Sequence, residues 1–229
     1  MHTRRQHILR HLVDFYVDQA CPVGSQPLAQ ALGVSSATIR NDMAILEAEG
    51  YLVQPHTSAG RIPTEKAYLY YLQHFVRPGP VETHDRLKKV VRSAPTSQKA
   101  GKQLAKELGE MTGEMVIVAI GNDWRYVTGV ANLLRKPDFS ETGQLESLCE
   151  LIDACDGVID QMLESLPNQP TVLIGSNNPF GDDMSSILVG YHFPGERVGM
   201  IGIVGPIRMH YARNLALLEY AKELLDTTL

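Results

Sequence analysis

The chain has 229 residues, 44% of them hydrophobic and 21% charged, with a net charge of −5 at neutral pH. This is enough apolar material for a packed core, and too acidic for a general nucleic-acid coater, whose affinity comes from neutralising phosphates. No apolar run reaches the roughly 18 residues of a membrane span. The opening M-H-T-R-R-Q-H, followed by Asp14 and Asp18, is unlike a signal peptide, so a cytoplasmic chain with no membrane partner is expected. Cys21, Cys149 and Cys155 are odd in number and lack paired C-x-x-C spacing, which fits reduced structural thiols and neither a disulfide framework nor a zinc site.

The length favours two domains, and the charge is divided unevenly between them. Residues 1–77 carry +1 and the remainder −6, so a few cations focused on one N-terminal surface remain able to meet DNA. The first helix is expected over about 3–20, with Ile8, Leu12, Phe15 and Gln19 along its inner side. Cys21-Pro22-Val23-Gly24 breaks it, and Ser25 caps a short helix to Leu32 with Pro27 in the permissive first turn. Gly33 turns the chain into V-S-S-A-T-I-R-N-D-M-A-I-L-E-A-E-G (34–50). Two serines supply capping oxygens there and Gly50 supplies the stop. Ile39, Met43 and Leu46 share one face by helical spacing. The opposite face holds Ala37, Thr38, Arg40, Asn41, Ala44 and Ala48. It is too small and too poor in Lys and Glu for an ordinary solvated surface. Small residues admit a helix deep into the major groove, and the forked groups of Arg and Asn match guanine and adenine edges. We read it as the recognition helix of a helix-turn-helix.

Arg40 and Asn41 are the base-reading candidates. Ser36 and Thr38 either touch phosphates or cap the helix, and the helix-terminal amides at Ser35 and Ser36 are placed to hold a phosphate. Tyr51–Val53 and Arg61–Ile62 suit the strands of a wing hairpin. The donors at its tip (His56, Thr57, Ser58 and Arg61) either meet phosphate and minor groove or serve only the loop. Thr64 caps a helix to about Val76. Pro78-Gly79-Pro80 marks a linker, giving domains of 1–77 and 82–229 joined through 78–81.

The second half alternates helices with apolar strands. Helices are expected over about 82–92, 97–111, 145–163 and 209–225. Strands are expected over 115–120, 124–130, 171–174, 187–191 and 199–204. The tight turn at Gly121-Asn122-Asp123 makes a hairpin of the first two strands. The fold class is therefore α+β with an antiparallel sheet. Arg208 and Tyr211 either bind a small anion or form a salt bridge and a core contact. Asn177-Asn178-Pro179 suits a turn. G-M-I-G-I-V-G-P (199–206) lacks the G-x-G-x-x-G order of a dinucleotide loop. No Ser/His/Asp set, metal-spaced cluster or supported carboxylate pair occurs, so no enzyme, metal or cofactor is expected.

P-V-G-S (22–25), the 34–47 helix, G-Y-L-V-Q-P-H-T-S-A-G-R-I-P-T (50–64) and G-P-I-R-M-H-Y (205–211) together resemble the HrcA family of heat-inducible transcriptional repressors. Segments 129–139 and 174–179 resemble it as well. The resemblance implies a winged helix followed by a GAF-like regulatory and dimerisation domain, and binding as a homodimer to an inverted-repeat operator in double-stranded DNA upstream of chaperone genes. It also implies dependence on the GroEL chaperonin, which couples repression to heat stress. An alternative is a small-molecule-responsive regulator that senses through the GAF-like domain. Two departures stand out. Strands 115–120 and 124–130 follow one another where the family carries an inserted dimerising domain, so the chain reads as a short form. In K-A-Y-L-Y-Y (66–71), Ala67 and Leu69 replace a Gly and an Arg.

Overall fold

Two separate hydrophobic cores organise the chain. The computed structural model describes residues 1–57, 59–79, 84–139, 142–193 and 197–228, and it divides into units of Met1–Arg77 and Pro78–Leu229. Ser58 and residues 80–81 of the expected linker lie outside the described residues.

The first unit is a winged helix. Helix α1 (Thr3–Gln19) buries Ile8, Leu9, Leu12, Val13 and Val17. Its inner stripe is broader than the expected one and turned towards Val13 and Val17, leaving Phe15 half-buried and Gln19 exposed, because α1 packs against several partners at once. These are α2 (Ser25–Leu32), α3 (Ser36–Ala48), the wing and α4 (Glu65–His74). Ser35 caps α3 through its hydroxyl to the Thr38 amide at 3.1 Å. Gly50, at φ +77°, ends it where a side chain would be strained. Gly24, and not Ser25, occupies the cap position of α2, so the Ser25 hydroxyl is left for other work. Ile39, Met43 and Leu46 enter the core with Leu12, Leu28 and Leu52. The wing strands β1 (Leu52–Val53) and β2 (Ile62–Pro63) pair antiparallel, Leu52 opposite Pro63. Pro63 is thus the last residue of the ladder.

The second unit has helices α5 (His84–Arg92) and α6 (Ser97–Thr112), then strands β3 (Met115–Ile120) and β4 (Trp124–Thr128). These are followed by α7 (Val130–Leu134), α8 (Thr142–Leu163), β5 (Thr171–Ile174), β6 (Met184–Phe193), β7 (Arg197–Pro206) and α9 (Tyr211–Thr228). The strands form one five-stranded sheet, wholly antiparallel, in the order β4-β3-β7-β6-β5. The fold class is α+β. Strand β3 is buried on both faces, which is why its sequence M-V-I-V-A-I is continuously apolar. Met115, Ile117 and Ala119 join Leu151, Cys155 and Ile159 of α8 in one core layer, while α6 and α9 also pack on the sheet. Ile120 pairs directly with Trp124 across Gly121-Asn122-Asp123, leaving no inserted domain between β3 and β4.

The glycines of β7 are spaced by packing. A Cβ on Gly199 would lie 2.3 Å from the Tyr191 ring, on Gly202 2.3 Å from Leu188, and on Gly205 2.2 Å from Glu114. Tyr191 and Leu188 are also the cross-strand partners of the first two. Each glycine therefore makes room for a larger neighbour.

Candidate nucleic-acid interface

The exposed face of α3 is built by subtraction. Every carboxylate in or just beyond the helix is drawn to one side by a cation from another element. Asp42 is buried and accepts from Arg4 Nε at 2.6 Å, and that hydrogen bond and charge raise the Arg4 pKa above its ordinary value. Glu47 binds Arg61, and Glu49 binds Arg5 at 2.8 Å. Lys66 Nζ donates to the Glu49 carbonyl at 2.7 Å and lies over the Tyr51 ring. What remains exposed on α3 is Ala37, Arg40, Asn41, Ala44, Ile45 and Ala48.

Arg40 is the single cation of α3, and its partners are neutral. Its Nε donates to Ser25 Oγ and its Nη2 to Ser36 Oγ, both at 3.3 Å, and the two hydroxyls lie 2.7 Å apart. Ser35 and Thr38 are engaged at the cap, their hydroxyl oxygens 2.9 Å apart. Asn41 is exposed one residue along from Arg40.

The wing is pinned to the helix-turn-helix. Val23 and Arg61 exchange two backbone hydrogen bonds of 2.9 Å. Gly60 lies so close to this turn that a Cβ would fall 2.4 Å from the Val23 carbonyl carbon. Arg61 Nε and Nη2 both reach Glu47 Oε2, at 3.0 and 2.9 Å. The Arg61 guanidinium, expected at the wing surface, therefore faces the recognition helix. His56 and Thr57 are exposed at the tip. The Gln54 amide shapes the tip by donating to the carbonyls of Thr57 and Ala59, each at 2.9 Å.

Sequence reading did not single out Ser25, Gln54 or Ile45 as candidates for this face. Ile45 is 42% exposed on a face otherwise made of small and polar groups, where an apolar contact with a thymine methyl becomes available. Helical spacing puts it there, four residues from Asn41 and three from Ala48, while Asp42 falls on the buried stripe between Ile39 and Leu46.

In the second unit the anion alternative for Arg208 gives way to a salt bridge. Arg208 binds both carboxylate oxygens of Asp138, and Tyr211 is buried with its hydroxyl on the Ile207 carbonyl and Ser185. Asn178 closes a turn, donating to the Gly181 carbonyl and accepting from Ser186. Burial pushes the Cys155 thiol up to about 11, which suits a structural role. No helix among the described residues is long and apolar enough to cross a membrane.

Residues 1–74 match the family model described as winged helix-turn-helix transcription repressor, HrcA DNA-binding, and residues 73–215 match the HrcA protein C terminal domain. The chain belongs to the HrcA family. This is a family of transcription repressors, not of enzymes. A heat-inducible transcription repressor HrcA of Bifidobacterium animalis subsp. lactis is 46% identical over 121 residues, which cover 51% of this chain and 33% of that protein. The chain thus spans about a third of the length of such relatives. Its counterpart in Thermoanaerobacter pseudethanolicus is 28% identical over 315 positions, covering 92% of both chains. An alignment of 315 positions against a chain of 229 leaves at least 86 positions of that relative without a counterpart here, as expected of a short form. A crystal structure of a protein described only as hypothetical shares the fold, with a TM-score of 0.76, 20% identity, and coverage of 100% of this chain and 97% of that one.

Proposed function

We propose that the chain is a cytoplasmic, homodimeric repressor of heat-shock genes that reads an inverted-repeat operator through Arg40 and Asn41. The observation that carries this reading is the charge arrangement of α3. Its acids are each held by a cation, while Arg40 rests on neutral hydroxyls and keeps its charge for an outside partner. Arg and Asn are the residues that read guanine and adenine in bidentate fashion. Two copies would place two recognition helices one helical turn or a multiple apart.

In this reading Ser35, Ser36 and Thr38 lie beside the backbone at the helix entry, and the tip residues His56, Thr57 and Ser58 flank the groove. Arg61 contributes mainly by setting the wing. The C-terminal unit dimerises without the inserted domain of longer relatives, and GroEL availability sets the active fraction, as the family resemblance implies.

The test is fluorescence anisotropy of the full chain on the inverted repeat from its own chaperonin promoter and on a scrambled duplex, at two salt concentrations. A preference of roughly a thousandfold that survives the higher salt is expected. Equal, salt-fragile binding to both duplexes sinks the reading.

A further inference from the structure

We infer that Ser25, from the first helix of the helix-turn-helix, positions Arg40 for DNA: with Ser36 it holds one edge of the guanidinium and leaves the other edge for an acceptor on DNA. The inference rests on the operator-binding reading above.

A guanidinium offers two forked edges. One is made by Nε–H and the nearer hydrogen of Nη2, the other by the outer hydrogens of Nη1 and Nη2. The bonds to Ser25 and Ser36 come from Nε and Nη2, so the side-on edge is filled, and among the described residues the end-on edge is open. Arg61 uses the same side-on edge towards Glu47. There the partner is a carboxylate that cancels the charge. The hydroxyls under Arg40 orient it and cancel nothing.

Both hydroxyls are spare for this task. Ser36 is not the cap of α3, because Ser35 is. Ser25 is not the cap of α2, because Gly24 is. With an Oγ–Oγ distance of 2.7 Å, one hydroxyl donates to the other and one O–H remains. The open end-on edge of Arg40 offers only donors, and its natural partner is an acceptor pair such as guanine O6 and N7 or two phosphate oxygens. At 3.3 Å the arginine bonds are longer than the common spacing of about 2.9–3.0 Å, so they bias the rotamer without locking it. The effect of losing one is accordingly modest. It reaches DNA by way of Arg40, because an unheld arginine loses rotamer freedom on binding that a held one has already lost.

The experiment is a double-mutant cycle on the full chain, with Ser25→Ala, Arg40→Ala and the pair titrated on operator and scrambled duplex. Ser25→Ala is expected to weaken operator binding about three- to tenfold and to leave scrambled binding and melting temperature nearly unchanged. In the Arg40→Ala background it is expected to cost less than about twofold. Ser25→Thr, which keeps a hydroxyl, is expected to recover most of the loss. A DNA-free readout accompanies it: the nitrogen relaxation of Arg40 Nε is expected to report greater mobility in Ser25→Ala. Equal cost in both backgrounds, or no loss of Arg40 order, overturns the inference. Failure of the unmutated protein to prefer the operator is a separate result, visible before any variant is made, and it overturns the operator reading and this inference together.

Discussion

Glu47 on the recognition helix and Arg61 on the wing meet through a single carboxylate oxygen, Oε2, which accepts from both Nε and Nη2 of the guanidinium. The pair is only partly exposed, at 34% and 19% of the side chains. It ties the recognition helix to the wing, which the Val23–Arg61 bridge pins to the turn before α2. Arg61→Ala is expected to cost about 1 kcal/mol of stability, between the values of exposed and buried pairs. It is also expected to lower operator affinity by loosening the wing. Denaturant unfolding checks the first effect and anisotropy the second. Glu47→Gln, which keeps a hydrogen-bonding oxygen, should do less on both measures. If Glu47→Gln spares DNA binding completely while Arg61→Ala abolishes it, Arg61 touches DNA directly.

Arg40→Ala and Asn41→Ala are expected to separate specific from non-specific binding. Under the proposed reading each removes a base-reading fork worth about 1–3 kcal/mol of discrimination, so operator affinity should fall by roughly ten- to a hundredfold and scrambled affinity far less. The dependence of log affinity on log salt should change little if the contact is to a base, and fall by about one unit if Arg40 meets a phosphate.

How much of this is legible in the sequence follows the strength of the local signal. Ser35 and Gly50 bracket α3 by their chemistry, and M-V-I-V-A-I marks β3 with the same limits as the structure. Strands β6 and β7 run longer than their apolar centres, because cross-strand hydrogen bonds carry polar ends such as Ser185 and Ser186 into the ladder. Helix α7 escapes sequence reading because V-A-N-L-L is too short for a helical period to show. In the site, residue types point to Arg40 and Asn41. That Arg61 turns inward to Glu47 while Arg40 stays open depends on partners 14 or 15 residues away, which no local pattern encodes. The spaced glycines of β7 are legible as a pattern, and their cause is not.

Gly60 meets backbone, which cannot move aside as a flexible side chain can. With a Cβ 2.4 Å from both the carbonyl carbon and oxygen of Val23 and 2.8 Å from Gly24 N, Gly60→Ala must push the wing away from the turn. A loss of about 1–3 kcal/mol, typical of overpacking, is expected. It should appear as a lower denaturation midpoint with an unchanged slope. Gly79→Ala has open space around it and serves as the control, expected to change stability by less than about 0.5 kcal/mol.

Glu114 gives the protein a pH-dependent stability of defined sign. Burial raises its pKa from the ordinary carboxylate range to about 7, against the opposing pull of Lys136. Lys136 Nζ binds Oε1 at 2.5 Å, whereas Oε2 is buried without a hydrogen-bond partner among the described residues and faces Gly205. Arg208 also favours the charged form and Asp138 opposes it. The folded chain holds this proton more tightly than the unfolded chain does, so between about pH 4.5 and pH 7 unfolding releases it. Raising the pH through that window therefore destabilises the fold, by at most about 1.4 kcal/mol for each pH unit crossed. Thermal melts from pH 5 to pH 8 should show a falling melting temperature. Glu114→Gln keeps the shape and removes the charge. It should flatten the profile and leave Lys136 without its counter-charge, so that the variant gains on the unmutated chain as the pH rises only to the extent that burying the carboxylate costs more than the ion pair returns. An identical slope in both proteins would locate the titration elsewhere.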